Sequence, residues 1–159
     1  MTHFEVITRI AAAPQRVFDV SLEVDVHTRS MARSGERAVG GVTVGRMSLG
    51  DTVTWQARHF GLRWQMTSWI SAFDPPGNFV DEQVSGPFKY WCHAHYFEPD
   101  GHRGTLMRDV VDFAAPFGPL GSFTEVVMLD RYMSRLIRIR NDHVKAVAEA
   151  TSGGTSSSA

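Results

Sequence analysis

Residues 122–150 read SFTEVVMLDRYMSRLIRIRNDHVKAVAEA, and the period of this stretch decides the fold. Val126, Leu129, Met133, Leu136, Ile137, Val144 and Val147 return at helical spacing, so the apolar side chains form one stripe over about seven turns. The onset carries a capping box, SFTE, in which Ser122 accepts from the amide of Glu125 while that glutamate reaches back. One long amphipathic helix is expected from Ser122 to about residue 150, and its apolar stripe needs a surface to cover it.

The segments upstream supply that surface. DTVTWQARHF, LRWQMTSWISAF, NFVDEQVSG, YWCHAHYFE and GTLMRDVVDF follow in series, joined by DPPG, GPF and PDGHRG, where proline fixes φ and glycine accepts positive φ. Glycines at 35, 40, 41, 45, 50 and 61 punctuate short runs rich in Val, Thr and Trp, the pattern of consecutive antiparallel strands. At the N-terminus HFEVITRI reads as a first strand ended by AAAP. Pro14 suits the first turn of a short helix, PQRVFDVS, with Val17, Phe18 and Ser21 on its inner face, and a second short helix runs through VDVHTRSM. The order is strand, two short helices, about six antiparallel strands and one long helix. It predicts an α+β fold in which a curved antiparallel sheet wraps around the C-terminal helix. Short side chains alone cannot fill the concave face, so aromatics fill it or a pocket remains, and ten Phe and four Trp serve either outcome.

The 159 residues fit one domain, placed at 1–150, followed by a flexible polar tail, TSGGTSSSA, at 151–159. A formal charge of -1 gives no global bias toward nucleic acid, and no nucleic-acid partner is expected. No uncharged apolar run approaches the roughly 20 residues that cross a bilayer, so stable membrane insertion is not expected. The opening MTHFEVITRI lacks the charged and apolar regions of a signal peptide, which predicts a cytoplasmic location. Cys92 is the only cysteine; it excludes an internal disulfide and falls on the opposite strand face from His93, as an inert thiol. The residues specify no oligomeric state.

Four phrases carry a family resemblance. FEVITRIAAAPQRVFDV, LGDTVTWQARHFG and GPFKYWCHAHYFEPDGHRGTLMRDVVDFAAPFGPLG, together with LIRIRNDHVKAV, resemble the helix-grip superfamily of START, Bet v 1 and polyketide cyclase/dehydrase (SRPBCC) domains, in a bacterial branch. The resemblance covers about residues 3 to 149. It implies the helix-grip fold and the binding of small hydrophobic molecules. Members range from lipid carriers to cyclases and hormone receptors, so the resemblance fixes no single chemistry. The catalytic pattern of true aromatase/cyclases has no counterpart among these residues.

The residues of chemical interest gather around WCHAHYF, 91–97, where alternation in a strand turns His93 and His95 to one face. If EPDGHRG closes a hairpin with Phe97 opposite Thr105, His95 faces Met107 and His93 faces Asp109. A slip of two residues keeps the face and changes the partners. The shared face holds Trp91, His93, His95 and Phe97 on one strand and Met107, Asp109, Val111 and Phe113 on the next, with Asp81 or Gln83 beside them from the preceding strand. Trp55 and Met133 complete the expected apolar wall. Three readings stay open for the polar patch. His-x-His with Asp109 supplies a possible three metal ligands, with His59 as a further one. A His93-Asp109 pair suits general acid/base work of cyclase or dehydratase type. The third reading is a hydrogen-bonded polar cluster that lines the pocket and anchors the polar end of an apolar ligand.

The third reading leads. It predicts a ligand-binding domain for a lipid, polyketide or aromatic metabolite, with no metal and no cofactor. A cyclase is the alternative, and an interaction module with a filled cavity a second one. His27, His102 and His143 are expected to be solvated, Arg131, Arg135 and Arg138 to form an exposed basic side of the last helix, and Arg140 to reach a carboxylate near the pocket. APFGPLG, 115–121, is read equally as a gate or a rigid connection.

Overall fold

A computed structural model describes residues 1–101, 103–115 and 123–150 of the chain. Strand β1 (Thr2–Ile10) is followed by helices α1 (Pro14–Ser21) and α2 (Val24–Ser30) and a single 3-10 turn (Ala32–Ser34). Six strands come next: β2 (Arg37–Gly41), β3 (Thr52–His59), β4 (Leu62–Asp74), β5 (Asn78–Ser85), β6 (Tyr90–Asp100) and β7 (Gly104–Ala114); helix α3 (Phe123–Ala150) closes the order. The capping box at Ser122, the loop 116–121 and the tail 151–159 lie outside the described residues.

All seven strands form one antiparallel sheet in the order β1-β7-β6-β5-β4-β3-β2. The first strand pairs with the last, from Thr2 opposite Phe113 to Ile10 opposite Thr105. The remaining strands are joined by consecutive hairpins, as the turn residues predict. Register shifts between Ala38 and Gly40, Thr67 and Ser68, and Ile70 and Ala72 mark bulges, which bend the strands and increase their twist. Gly41, at φ 68°, allows the closest approach of β2 to β3, since a Cβ there would collide with the carbonyl of Thr52. This is the helix-grip architecture, a curved sheet holding a long C-terminal helix.

The interior has two apolar clusters. At one end, Ile10, Val17, Phe18, Val20, Phe79, Phe97, Met107, Val144 and Ala148 pack together. Phe18 is the hub, with its ring edge-on to Phe73, Phe79 and Phe97 at centroid distances of 5.3, 5.8 and 5.5 Å. Pro14 at the helix start and the burial of Val17, Phe18, Val20 and Ser21 explain why α1 forms and which side it turns inward. At the other end, Phe4, Val6, Trp91, Val111, Phe113 and Ile137 are buried, with Met66, Phe88, Leu129 and Met133 packed on them only in part. Arg131, Arg135 and Arg138 are exposed.

The β6–β7 register differs from the expected one by two residues. Phe97 pairs with Met107, His95 with Asp109 and His93 with Val111. Pairing continues to Asp100 opposite Gly104, so Glu98 and Pro99 belong to the strand and the connection is a tight turn in which Arg103 takes φ 64°. The shared face survives the slip: Trp91, His93, His95, Phe97, Met107, Asp109, Val111 and Phe113 are all buried.

Candidate ligand site

Between the sheet and helices α2 and α3 lies a cavity of about 370 Å³, within the usual range for small-molecule pockets. Val53, Ala57, Met66 and Ile70 from β3 and β4 form one wall, and Leu129, Met133 and Ile137 from α3 face them. Phe60 and Leu62, both 61% exposed, belong to the wall at the β3–β4 turn and so mark its mouth. There His59 Nδ1 lies 2.7 Å from the hydroxyl of Tyr132, and Phe60 packs on the same tyrosine ring at 4.7 Å. Burial lowers the His59 pKa against the opposing charge of Glu36, and burial raises that of Tyr132.

The polar groups concentrate in one cluster, built on adjacent strands. Asp81 of β5 pairs directly with His93 of β6, and His95 comes two residues further on the same face. His93 Nε2 lies 2.9 Å and His95 Nδ1 2.7 Å from Asp109 Oδ1. The other nitrogens turn toward Asp81, with His95 Nε2 at 2.9 Å and His93 Nδ1 at 3.7 Å from its Oδ2. Two imidazoles therefore stand side by side between two carboxylates, their centroids 3.7 Å apart. Phe79 stacks on His95 at 4.1 Å and Trp91 sets its edge against His93 at 6.2 Å, holding both rings in place.

Asp109 is fully buried and held from α3. Asn141 Nδ2 donates to Oδ2 at 2.7 Å, and Arg140 Nη1 donates to Oδ1 at 3.3 Å. Arg140 also donates to the carbonyl of Ser21, which ties α1 to the same cluster. Burial pushes the Asp109 carboxyl up, but hydrogen bonds from His93 and His95 and their charges outweigh it, and the group lies well below the ordinary carboxylate range. Asp81 is lowered in the same way, with burial opposed by the His95 hydrogen bond and by the charges of His93, His95 and Arg140. Burial and the neighbouring His95 push His93 down to about 4, against the pull of Asp109 and Asp81. His93 is therefore neutral at pH 7. Donating Nε2–H to Asp109, it presents the lone pair of Nδ1 toward Asp81 and the cavity.

Of the residues expected at the site, Trp55, Asp81, Trp91, His93, His95 and Met133 line the cavity. Phe97, Met107, Val111 and Phe113 are buried behind that wall instead, in the apolar clusters, and Asp109 lies beneath the histidines. Gln83 is spent on the β5–β6 turn, donating to the carbonyl of Phe88 at 2.7 Å and accepting from its amide at 3.2 Å. The slipped register leaves His93 diagonal to Asp109, yet the expected hydrogen bond forms at 2.9 Å because a histidine reaches across one step of the ladder. His27 is not solvated: it lines the cavity, contacts Glu36 at 2.6 Å and packs on Trp55 at 4.3 Å. His102 lies outside the described residues. Cys92 is intermediate in exposure, with its thiol pKa raised by burial. Asn141 escaped the reading, though its position midway between Ile137 and Val144 on the apolar stripe was a signal: a polar residue where a core residue belongs.

A curved sheet, a long helix and an apolar cavity with polar groups at one end define the START and Bet v 1-like class. The model for polyketide cyclase / dehydrase and lipid transport matches residues 1–149, and the chain belongs to that family. Among solved structures, the Zhui aromatase/cyclase from Streptomyces sp. R1128 superimposes with a TM-score of 0.77 at 15% identity over 99% of both chains. The di-domain aromatase/cyclase StfQ of the steffimycin biosynthetic pathway gives 0.75 at 17% identity, over 95% of this chain and 51% of its own. A START superfamily protein from Mycobacterium smegmatis gives 0.68 at 11% identity over 91% and 98% of the two chains. At these identities the likeness shows the fold. No curated protein matches the chain by sequence. Among the described residues no helix is long and apolar enough to cross a membrane.

Proposed function

We propose that the protein binds a small, largely hydrophobic molecule, a lipid, a polyketide or an aromatic metabolite, in the cavity between the sheet and α3. One observation carries this reading: an apolar wall of Val53, Ala57, Met66, Ile70, Leu129 and Met133 ends at a cluster of Asp81, His93, His95 and Arg140. A guest with an apolar body and a carbonyl or hydroxyl end matches that distribution, since the body leaves water and the polar end keeps hydrogen bonds. A carbonyl accepts from Arg140, and a hydroxyl donates to Asp81 or to His93 Nδ1.

The alternative is a cyclase or dehydratase in which His93, oriented by Asp109, takes a proton from the guest. The 2.9 Å contact and the neutral imidazole favour it. A base held near 4, however, accepts protons poorly at neutral pH, where general bases work best with a pKa close to the ambient value. That weighs toward binding.

The test is titration with a fluorescent fatty acid and with a polycyclic aromatic ketone, alongside mass spectrometry of molecules extracted from protein purified from its own host. His93→Ala is expected to weaken binding by about 1–3 kcal/mol, the cost of leaving a buried partner unpaired. If neither probe binds and nothing is extracted, an interaction module that works through its surface replaces this reading. Loss of a turnover that the unaltered protein performs would favour the enzyme.

A further inference from the structure

We propose that Asp81, His93 and His95 form a binding site for a divalent first-row transition metal at the polar end of the cavity, with Asp109 as the carboxylate that orients both imidazoles. Their donor atoms all lie within 4.8 Å of one another. Ligands held at about 2.1 Å in a tetrahedral site stand roughly 3.4 Å apart. The separations of Asp81 Oδ2 from His95 Nε2, 2.9 Å, and from His93 Nδ1, 3.7 Å, bracket that spacing. Asp81 and His93 are paired on adjacent strands and His95 follows two residues on along the same face, a scaffold that holds ligands more firmly than loops do.

The hydrogen bonds behind the rings point the same way. His95 meets a carboxylate at each nitrogen, yet its buried Nδ1, 2.7 Å from Asp109 Oδ1, makes no aligned hydrogen bond. A metal on the Asp81 side gives each ring nitrogen a role. It takes the lone pair of His95 Nε2 and that of His93 Nδ1, and the protons then sit on His95 Nδ1 and His93 Nε2, both facing Asp109. Carboxylate, imidazole and metal in line is the usual outer-shell arrangement of metal-bound histidines. Asn141 and Arg140 fix Asp109 in turn. Two carboxylates against the single guanidinium of Arg140 leave room for positive charge.

Two imidazoles and one carboxylate suit zinc, cobalt or ferrous iron, and three protein ligands leave a position open toward the cavity for water or an oxygen of the guest. Asp109, the third ligand anticipated from sequence, moves to the outer shell, and Asp81 replaces it because β5 brings its carboxylate to the cavity side of the rings.

The experiment uses chelator-treated full-length protein with no organic ligand, so its result is separate from that of the lipid and ketone titrations. Zn²⁺ is added in competition with a chromophoric chelator, and Co²⁺ is followed by its visible absorption. One equivalent of either ion should bind, with tetrahedral or five-coordinate cobalt bands, and Zn²⁺ should raise the thermal midpoint. Asp81→Asn and His93→Ala should abolish binding while circular dichroism stays native, and Asp109→Asn should weaken it about 10–100-fold. His3→Ala, which removes an exposed histidine paired with Asp112 at 2.8 Å, should change nothing. Failure of both ions to bind the unaltered protein with one-to-one stoichiometry overturns the proposal. So does binding that persists in Asp81→Asn and disappears in His3→Ala. Should His93→Ala unfold, the Asp81→Asn result and the thermal shift decide alone.

Discussion

Around Val144 and Ala148 the last helix meets a solid interior, whereas around Leu129 and Met133 the same helix meets a hollow one. In the solid half, α1 and the ends of β5, β6 and β7 converge on Phe18, whose ring fills the gap between sheet and helix. In the hollow half the short helix α2 borders the space without filling it, and partly buried side chains of α3 and β4 face it. The difference teaches that one stripe of apolar residues serves two ends: close packing at one, the wall of a cavity at the other. The polar cluster touches both halves, with Asp109 bound to the solid half through Asn141 and Asp81 open to the cavity.

The largest effect is expected in the solid half. Phe18→Ala should cost about 3–5 kcal/mol of stability, as truncations of fully buried aromatics do, read from the urea midpoint at constant slope. A loss no greater than that of a surface substitution would erase the contrast.

An intermediate effect is expected from pH. His93 titrates near 4 in the fold and near 6.5 in the unfolded chain, so between those values the unfolded state holds more protons. Stability is complete above about 6.5 and declines as pH falls toward 4, by on the order of 3 kcal/mol at 1.36 kcal/mol per unit. Asp81 and Asp109, whose pKa values are depressed, contribute above the ordinary carboxylate range and lose their share only at lower pH. Urea midpoints of metal-free protein from pH 7 to 4 should fall, and His93→Asn should flatten the curve in that window. A flat profile in the unaltered protein would mean that the ring is not held neutral.

The smallest effect belongs to the hollow half. Met133→Ala should change stability by about 1 kcal/mol or less, because the side chain already borders open space, while shifting the preferred chain length of bound fluorescent fatty acids. Equal costs for Met133→Ala and Phe18→Ala would break the comparison.

Much of this was legible in the residues. The change of period before α3 announced the helix and the need for a surface beneath it. Pro14 placed α1, and strict alternation in WCHAHYF and LMRDVVDF put both histidines and Asp109 on one face. Register was less legible. EPDGHRG looks like a loop throughout because proline, aspartate and glycine favour turns, yet Glu98, Pro99 and Asp100 stay in the ladder, with Asp100 still opposite Gly104. Strand pairing is chosen by packing on both neighbours, which no single hairpin sequence states. The division of aromatics between wall and core was hidden for a related reason. Phe97 and Trp91 share a face, but only the position of α1 decides that Phe97 is covered and Trp91 is left at the cavity.

The attachment of Asp109 to Asn141 and Arg140 has a further consequence. The charged end of the chamber is tied to residues that also hold α1, β7 and α3 together, so a substitution there disturbs the frame as well as the chamber. On the wall, Leu129 and Met133 are only partly buried, so exchanging them would reshape the chamber and leave that frame standing.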